Sequence, residues 1–315
     1  MPLRKCPHHR VSSKAVNTMY GYPIGVTECN SFLLWNEGYK GQGVKIGVID
    51  SGIKSHSDLN DNVVFRKTFV GPIVESHGTH VAGTIAANAK DGYGLYGVAP
   101  EAKLYDIQIL GKDGGSESDF LKAILLAVSL NLDILNCSIG SDYDDPRLQE
   151  AIKIAENANI LVVCASGNEG SDTIVYPGAY EWCISVANWD VRHLVRHATS
   201  SSNIFVDICA NGTDVISTED NDGYAIYTGT SMASPHVTGL LALYIQMIRK
   251  TSPNLSKKRV ASLAKEMLYS NTIDLLPPGN DKFSGHGEAK YNPTSNEKFN
   301  GVLRDDLYYE SSKLN

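Results

Sequence analysis

The stretch TGTSMASPHVTGLLALYI, residues 228–245, decides how this chain is read. A small, glycine-bounded turn carrying Ser231 runs straight into an apolar helical pattern. A serine there can cap the helix, because its side-chain oxygen accepts an unpaired N–H of the first turn. It can also be a nucleophile, since the same helix end favours negative charge developing beside it. Alone, the stretch favours the cap. The rest of the chain has to decide.

Working outward, the flanking elements set the fold class. Apolar, β-branched runs at 44–50, 102–110, 132–140, 159–167 and 183–188 read as strands buried on both faces. Between them, residues 118–130 and 145–158 carry apolar side chains at helical spacing, with Pro146 where its missing N–H costs least. This alternation predicts an α/β fold, a mostly parallel sheet with helices on both faces. Ligands of such sheets bind beyond the carboxyl ends of the strands. That rule singles out Asp50, Ser138 and Asn168. From about Leu276 onward the chain is rich in Pro, Gly, Asn and charge and reads as loop.

Composition narrows the function classes. The 315 residues, 42% hydrophobic and 20% charged, are those of a soluble globular protein with ample core. A net charge of −7 speaks against a nucleic-acid partner, whose binders present a basic face. No apolar run reaches the length of a membrane span. The opening MPLRKCPHHR holds no apolar stretch that would serve as a signal peptide, so the expected location is cytoplasmic. The six cysteines form no CxxC pair, and four lie in apolar runs. They read as buried thiols of a reducing compartment, not as disulfides or a zinc site.

Three segments then make one constellation. VIDSGIKSHSDL (48–59) closes a strand with Asp50, and SHGTHVAGTIAA (76–87) places His77 and His80 three apart at the start of a small-residue helix. As metal ligands the two histidines lack a third partner and the glutamate of an HExxH site. With Ser231 they fit nucleophilic catalysis. A serine hydroxyl needs a base, histidine can take its proton, and a buried carboxylate holds the imidazole in the right tautomer. CASGNEG (164–170) adds Asn168, a turn former or an amide donor to an oxyanion.

These motifs, with GVAP (97–100), YPGAY (176–180) and GTSMASPHVTG, resemble the subtilisin family of serine proteases from about Tyr22 to Tyr291. The resemblance implies a serine endopeptidase whose triad is Asp50, His77 and Ser231, working through an acyl-enzyme, with Asn168 in the oxyanion hole. His80 becomes a second, non-catalytic histidine packed in the helix. Polypeptide substrate is implied to lie extended between Gly114, Gly115 and Ser116 on one side and Ser138, Ile139 and Gly140 on the other. Ala165, Ser166, Gly167 and Val175 would line the pocket before the scissile bond. Val175 stands where the family often has glycine, which disfavours very large side chains. Ser118 stands where an aromatic lid is common, and its neighbours Glu117 and Asp119 favour basic substrates, start the helix, or do both.

The missing signal, the unpaired cysteines and VVCASGNEG resemble the intracellular branch of the family. The resemblance divides the chain into an amino-terminal extension (1–20), a peptidase domain (21–292) and a carboxyl-terminal tail (293–315). The extension is either an inhibitory segment across the cleft or a disordered tail. It lacks the branch's Leu-Ile-Pro-Tyr/Phe signature. Arg4, Lys5, Arg10 and Lys14 make it basic on an acidic body. The family further implies a structural calcium ion, held here by Asp58, Asn88, Asp91, Tyr93 and Leu95. No organic cofactor and no membrane or nucleic-acid partner is expected, and a homo-oligomer stays open.

Overall fold

The computed structural model describes residues 3–5, 9–12, 21–90, 92–275 and 277–295. Two short strands, β1 (Arg4–Lys5) and β2 (His9–Ser12), precede helices α1 (Ile24–Glu28) and α2 (Ser31–Asn36). The central sheet is built of β3 (Lys45–Asp50), β4 (Val63–Thr68), β5 (Lys103–Gln108), β6 (Ile134–Cys137), β8 (Leu161–Ala165), β9 (Cys183–Asp190), β11 (Ile208–Asn211) and β15 (Glu288–Ala289). These run parallel in the order β15-β11-β9-β8-β6-β3-β5-β4. The antiparallel β14 (Thr272–Ile273) extends one edge, and β10 (Val195–Arg196) folds back on β9. The tiny β7 (Ile139–Gly140) and the hairpin of β12 (Val215–Thr218) with β13 (Tyr224–Thr228) lie outside it.

Strand side chains alternate between the two faces, so each buried strand feeds two cores. Val48, Ile134 and Val163 join one cluster with helices α3 (His77–Ala86), α6 (Thr230–Thr251) and α7 (Lys257–Ser270). Their neighbours Ile49, Leu135 and Val162 join the other with α4 (Glu117–Ser129) and α5 (Pro146–Asn157). Caps fix the helix starts: Ser116, Asp145 and Ser256 accept from the N–H groups of Asp119, Arg147 and Arg259. Helix α6 is buried continuously from Thr230 to Ile248. Each of its leucines and isoleucines gains about 1.5–3 kcal/mol on burial, enough to hold a helix that contains Pro235.

The expected parallel sheet with helices on both faces is observed, with two differences. The run 132–140 is not one strand; it breaks at Ser138, whose side chain turns inward to helix α6. The elements β4, β12, β13 and α7 had no sequence expectation. Cys29, Cys137, Cys164, Cys183 and Cys209 are unpaired and buried, and burial pushes the thiols of Cys29, Cys164 and Cys209 upward, making them poor nucleophiles. Cys6 lies outside the described residues. No helix among the described residues is long and apolar enough to cross a membrane.

One buried carboxylate sits beside the strand that ends in Asp50. Asp106 of β5 pairs with Arg66 of β4 at 3.0 Å, while its Oδ1 has no hydrogen-bond partner among the described residues. Burial raises its pKa from 3.8 to about 6, with a smaller push from Asp50. The folded protein therefore keeps a proton that the unfolded chain releases, and this site's contribution to stability falls as pH rises from 3.8 to about 6. Asp106→Asn should flatten the stability profile over that window, read as unfolding midpoints at successive pH values. An unchanged slope would place the titration elsewhere.

Candidate active site

Asp50 is the last residue of β3 and is fully buried. The Ser51 N–H donates to its Oδ1 at 2.6 Å, and His77 Nδ1 lies 2.8 and 3.0 Å from the two carboxylate oxygens. His77 opens α3 and is buried. This close approach requires the next residue to be glycine. A Cβ on Gly78 would stand 2.6 Å from the Gly52 carbonyl and 3.2 Å from Asp50. A carboxylate on Nδ1 fixes the proton there and makes Nε2 the basic nitrogen.

Ser231 is the second residue of α6, and its hydroxyl donates to the Ser138 carbonyl at 3.2 Å. Four residues on, Pro235 has no N–H to return to the Ser231 carbonyl. Ser138 Oγ takes that acceptor at 3.0 Å. It is held in turn by Ser234 Oγ and Asn136 Nδ2, both at 2.9 Å, and Thr238 Oγ1 donates to Asn136 Oδ1. The proline thus ties the serine helix to the strand break at Ser138. Asn168 Oδ1 accepts the Thr230 N–H at 2.9 Å, which orients the amide with Nδ2 as its donor end.

The other histidines of the motifs are structural. His80 is buried, with Nε2 facing the carbonyls of Val215 and Ala225 and its ring stacked on Tyr227 at 4.3 Å. Burial lowers its pKa to about 3 and that of His236, bonded to the Met232 carbonyl, to about 4. Both stay neutral at ordinary pH.

The two backbone segments expected to flank substrate enclose the chain's own amino end. The Gly115 N–H donates to the Leu3 carbonyl at 2.8 Å. Arg4 and Lys5 of β1 lie antiparallel to Gly140 and Ile139. Leu3 is fully buried, and a cavity of about 740 Å³ opens beside it, lined by Val74, Leu110 and Gly114 among others. Further along, β2 adds antiparallel to β13, with His9 opposite Thr228. Ser116 serves as the α4 cap, and Asp119 accepts from Ser116 Oγ and Lys122. Glu117 lies 3.3 Å from Arg147. Both carboxylates are engaged at the helix start, as the structural reading expects.

Ala165 and Val175 pack as a small buried pair, and Gly167 at φ +108° leaves no room for a side chain, since a Cβ would meet Val175 Cγ2 at 2.5 Å. Ser166 is buried with its hydroxyl toward the Ser201 carbonyl. Sequence reasoning missed Asp142 and Glu169, which receive the Arg4 guanidinium. The acidic run SDYDD (141–145) and the acid beside Asn168 were the available signals.

At the residues expected to hold calcium, hydrogen-bond donors already engage part of the oxygen set. Asp58 Oδ2 already accepts from the Leu95 N–H and the Tyr224 hydroxyl, both at 2.9 Å. Asn88 spends its amide donor on the Pro100 carbonyl, and its own carbonyl accepts from Lys90. Tyr93 is largely exposed, and Asp91 lies outside the described residues.

Comparison with known proteins agrees with this geometry. The profile described as "Subtilase family" matches residues 41–287. The chain is 40% identical over 287 residues to an intracellular serine protease of Paenibacillus polymyxa, covering 84% of each protein. It is 36% identical over 286 residues to the major intracellular serine protease of Bacillus subtilis (strain 168), covering 80% of this chain and 88% of that one. Subtilisin BL of Lederbergia lenta matches at 36% over 254 residues, 79% of this chain and 91% of that protein. With its sheet, its buried Asp50–His77 pair and its serine at the start of a core helix, the chain belongs to the subtilase family and is a subtilisin-like serine endopeptidase.

Proposed function

We propose that Ser231 is the nucleophile, His77 its base and Asp50 the group that orients and stabilises the imidazole. His77 Nε2 takes the hydroxyl proton as Ser231 Oγ bonds to the scissile carbonyl carbon. The carbonyl oxygen becomes an oxyanion, received by Asn168 Nδ2 and by the Ser231 N–H, which has no intrahelical acceptor so early in α6. The C–N bond then breaks as the imidazolium donates its proton to the departing amine, leaving an acyl-enzyme. Water repeats the sequence and restores Ser231. The observation carrying this reading is the buried carboxylate–imidazole pair at 2.8 Å. A fluorophosphonate probe should label Ser231 alone and lose that label in His77→Ala; labelling elsewhere would refute it.

Polypeptide substrate is proposed to bind as an added strand between Gly115 and Gly140, in the place of β1. The 1–20 extension is accordingly read as a self-inhibitory segment, supported by the burial of Leu3 and the pairing of Arg4 and Lys5. A cytoplasmic location is proposed from the names of two relatives and the buried unpaired thiols. Val175, packed on Ala165, narrows the pocket before the scissile bond. Val175→Gly removes three carbons and should raise kcat/KM for peptides with Phe or Tyr there by at least about tenfold, the low end of what even one methylene gives. No gain over peptides with Ala there would remove Val175 from the pocket.

A further inference from the structure

The occupant of the cleft carries a side chain that reports on the cleft itself. Arg4 Nη2 lies 2.7 Å from both Asp142 carboxylate oxygens, and 3.7 Å from Glu169 Oε1. The neighbouring acids are already engaged. Asp144 accepts the Tyr180 hydroxyl, and Asp145 caps α5 and holds Arg147. Glu169 gives its Oε2 to the Asn168 N–H and to Ser201 Oγ, so Oε1 is the oxygen turned to Arg4. Asp142 alone in the loop has no other hydrogen-bond or ion-pair partner among the described residues. Its carboxylate is therefore directed at whatever lies opposite Gly140.

The register says which substrate residue that is. Arg4 stands opposite Gly140 and Lys5 opposite Ile139. A chain continuing in this antiparallel register would place its next residue opposite Ser138, whose carbonyl is 3.2 Å from the Ser231 hydroxyl. A substrate residue there precedes the scissile bond, and the one opposite Gly140 is third before it. Resting on the active-site reading above, we infer that Asp142, assisted by Glu169, selects arginine or lysine as the third residue before the scissile bond. Either cation can serve, because Arg4 reaches both carboxylate oxygens through the single nitrogen Nη2.

The pair is partly exposed, at 46% for Arg4 and 42% for Asp142, so its strength is modest and falls with salt. The test uses the full-length enzyme and quenched peptides differing only at the third residue before the bond: Arg, Gln or Glu. At low salt, kcat/KM should be about fivefold higher for Arg than for Gln, equivalent to about 1 kcal/mol, and higher again than for Glu. In Asp142→Asn, and further in Asp142→Asn/Glu169→Gln, the Arg-to-Gln ratio should fall to within about twofold of one. Asp142→Lys should invert it in favour of Glu. The ratio taken within each variant cancels any general loss of rate. Ser231-dependent hydrolysis with the same ratio in wild type and Asp142→Asn would overturn this inference alone. Hydrolysis persisting in Ser231→Ala would overturn the active-site reading and this inference with it.

Discussion

Replacing Ser231 by alanine is expected to lower kcat on peptide substrates by about six orders of magnitude with little change in KM. In the proposed reaction the hydroxyl forms and breaks the bond to the acyl carbon, a role alanine cannot fill. What survives should be roughly 10³–10⁴-fold over water, supplied by binding and the oxyanion hole. The fold should persist, because the contacts that seat the helix use the Ser231 carbonyl, which alanine retains, and Ser138 Oγ, which is untouched. His77→Ala should cost about as much, and the double variant no more than either single one, since the groups act as a unit. The measurement is burst and steady-state hydrolysis of a chromogenic peptide beside a thermal melt. Loss of less than about a hundredfold in a folded Ser231→Ala protein would mean another nucleophile.

The second large effect concerns the amino-terminal segment. Leu3→Asp should make the freshly purified full-length chain active without delay, while the wild type starts slowly. A fully buried leucine contributes about 1.5–3 kcal/mol, and a carboxylate in its place must also be desolvated. The open cleft should therefore become at least about tenfold more populated, with initial velocity rising in proportion. Mass spectrometry must show both chains intact at the first time point. Equal initial velocities of two intact chains would leave residues 3–5 as passengers in the cleft.

Much of this was legible because parallel strands buried on both faces leave uninterrupted apolar runs, as in VKIGVID and NILVVCASG. The rule that ligands gather at strand carboxyl ends led directly to Asp50 and Asn168. The edge strand β4 escaped because its apolar run, Val63 to Phe65, is short and is followed at once by Arg66, Lys67 and Thr68. The β12–β13 hairpin escaped although NDG at 221–223 is a turn signal, since Ser, Thr and Glu interrupt the strand before it. At the break, Ser138 hydrogen-bonds to the Ser231 carbonyl, 93 residues away, and no local pattern encodes that. Asp142 and Glu169 look like ordinary surface acids until Arg4 is seen between them. The hydrogen bonds that Asp58 accepts from Leu95 and Tyr224 were equally invisible, because sequence does not reveal their direction.

The amino-terminal segment grips the enzyme at two separate places, β1 on the strand break and β2 on the hairpin that leads to Ser231. Joined by three residues, each arm keeps the other at a local concentration in the millimolar range, so a lapse at one is repaired before the chain can drift away. Cutting the link between Lys5 and His9 abolishes that tether without weakening a single contact. The short arm then becomes an ordinary dilute peptide, lost to the surroundings and outcompeted by any protein at hand. On the proposed self-inhibitory reading, activation is a ratchet: one hydrolysed bond separates a latched state from an open one.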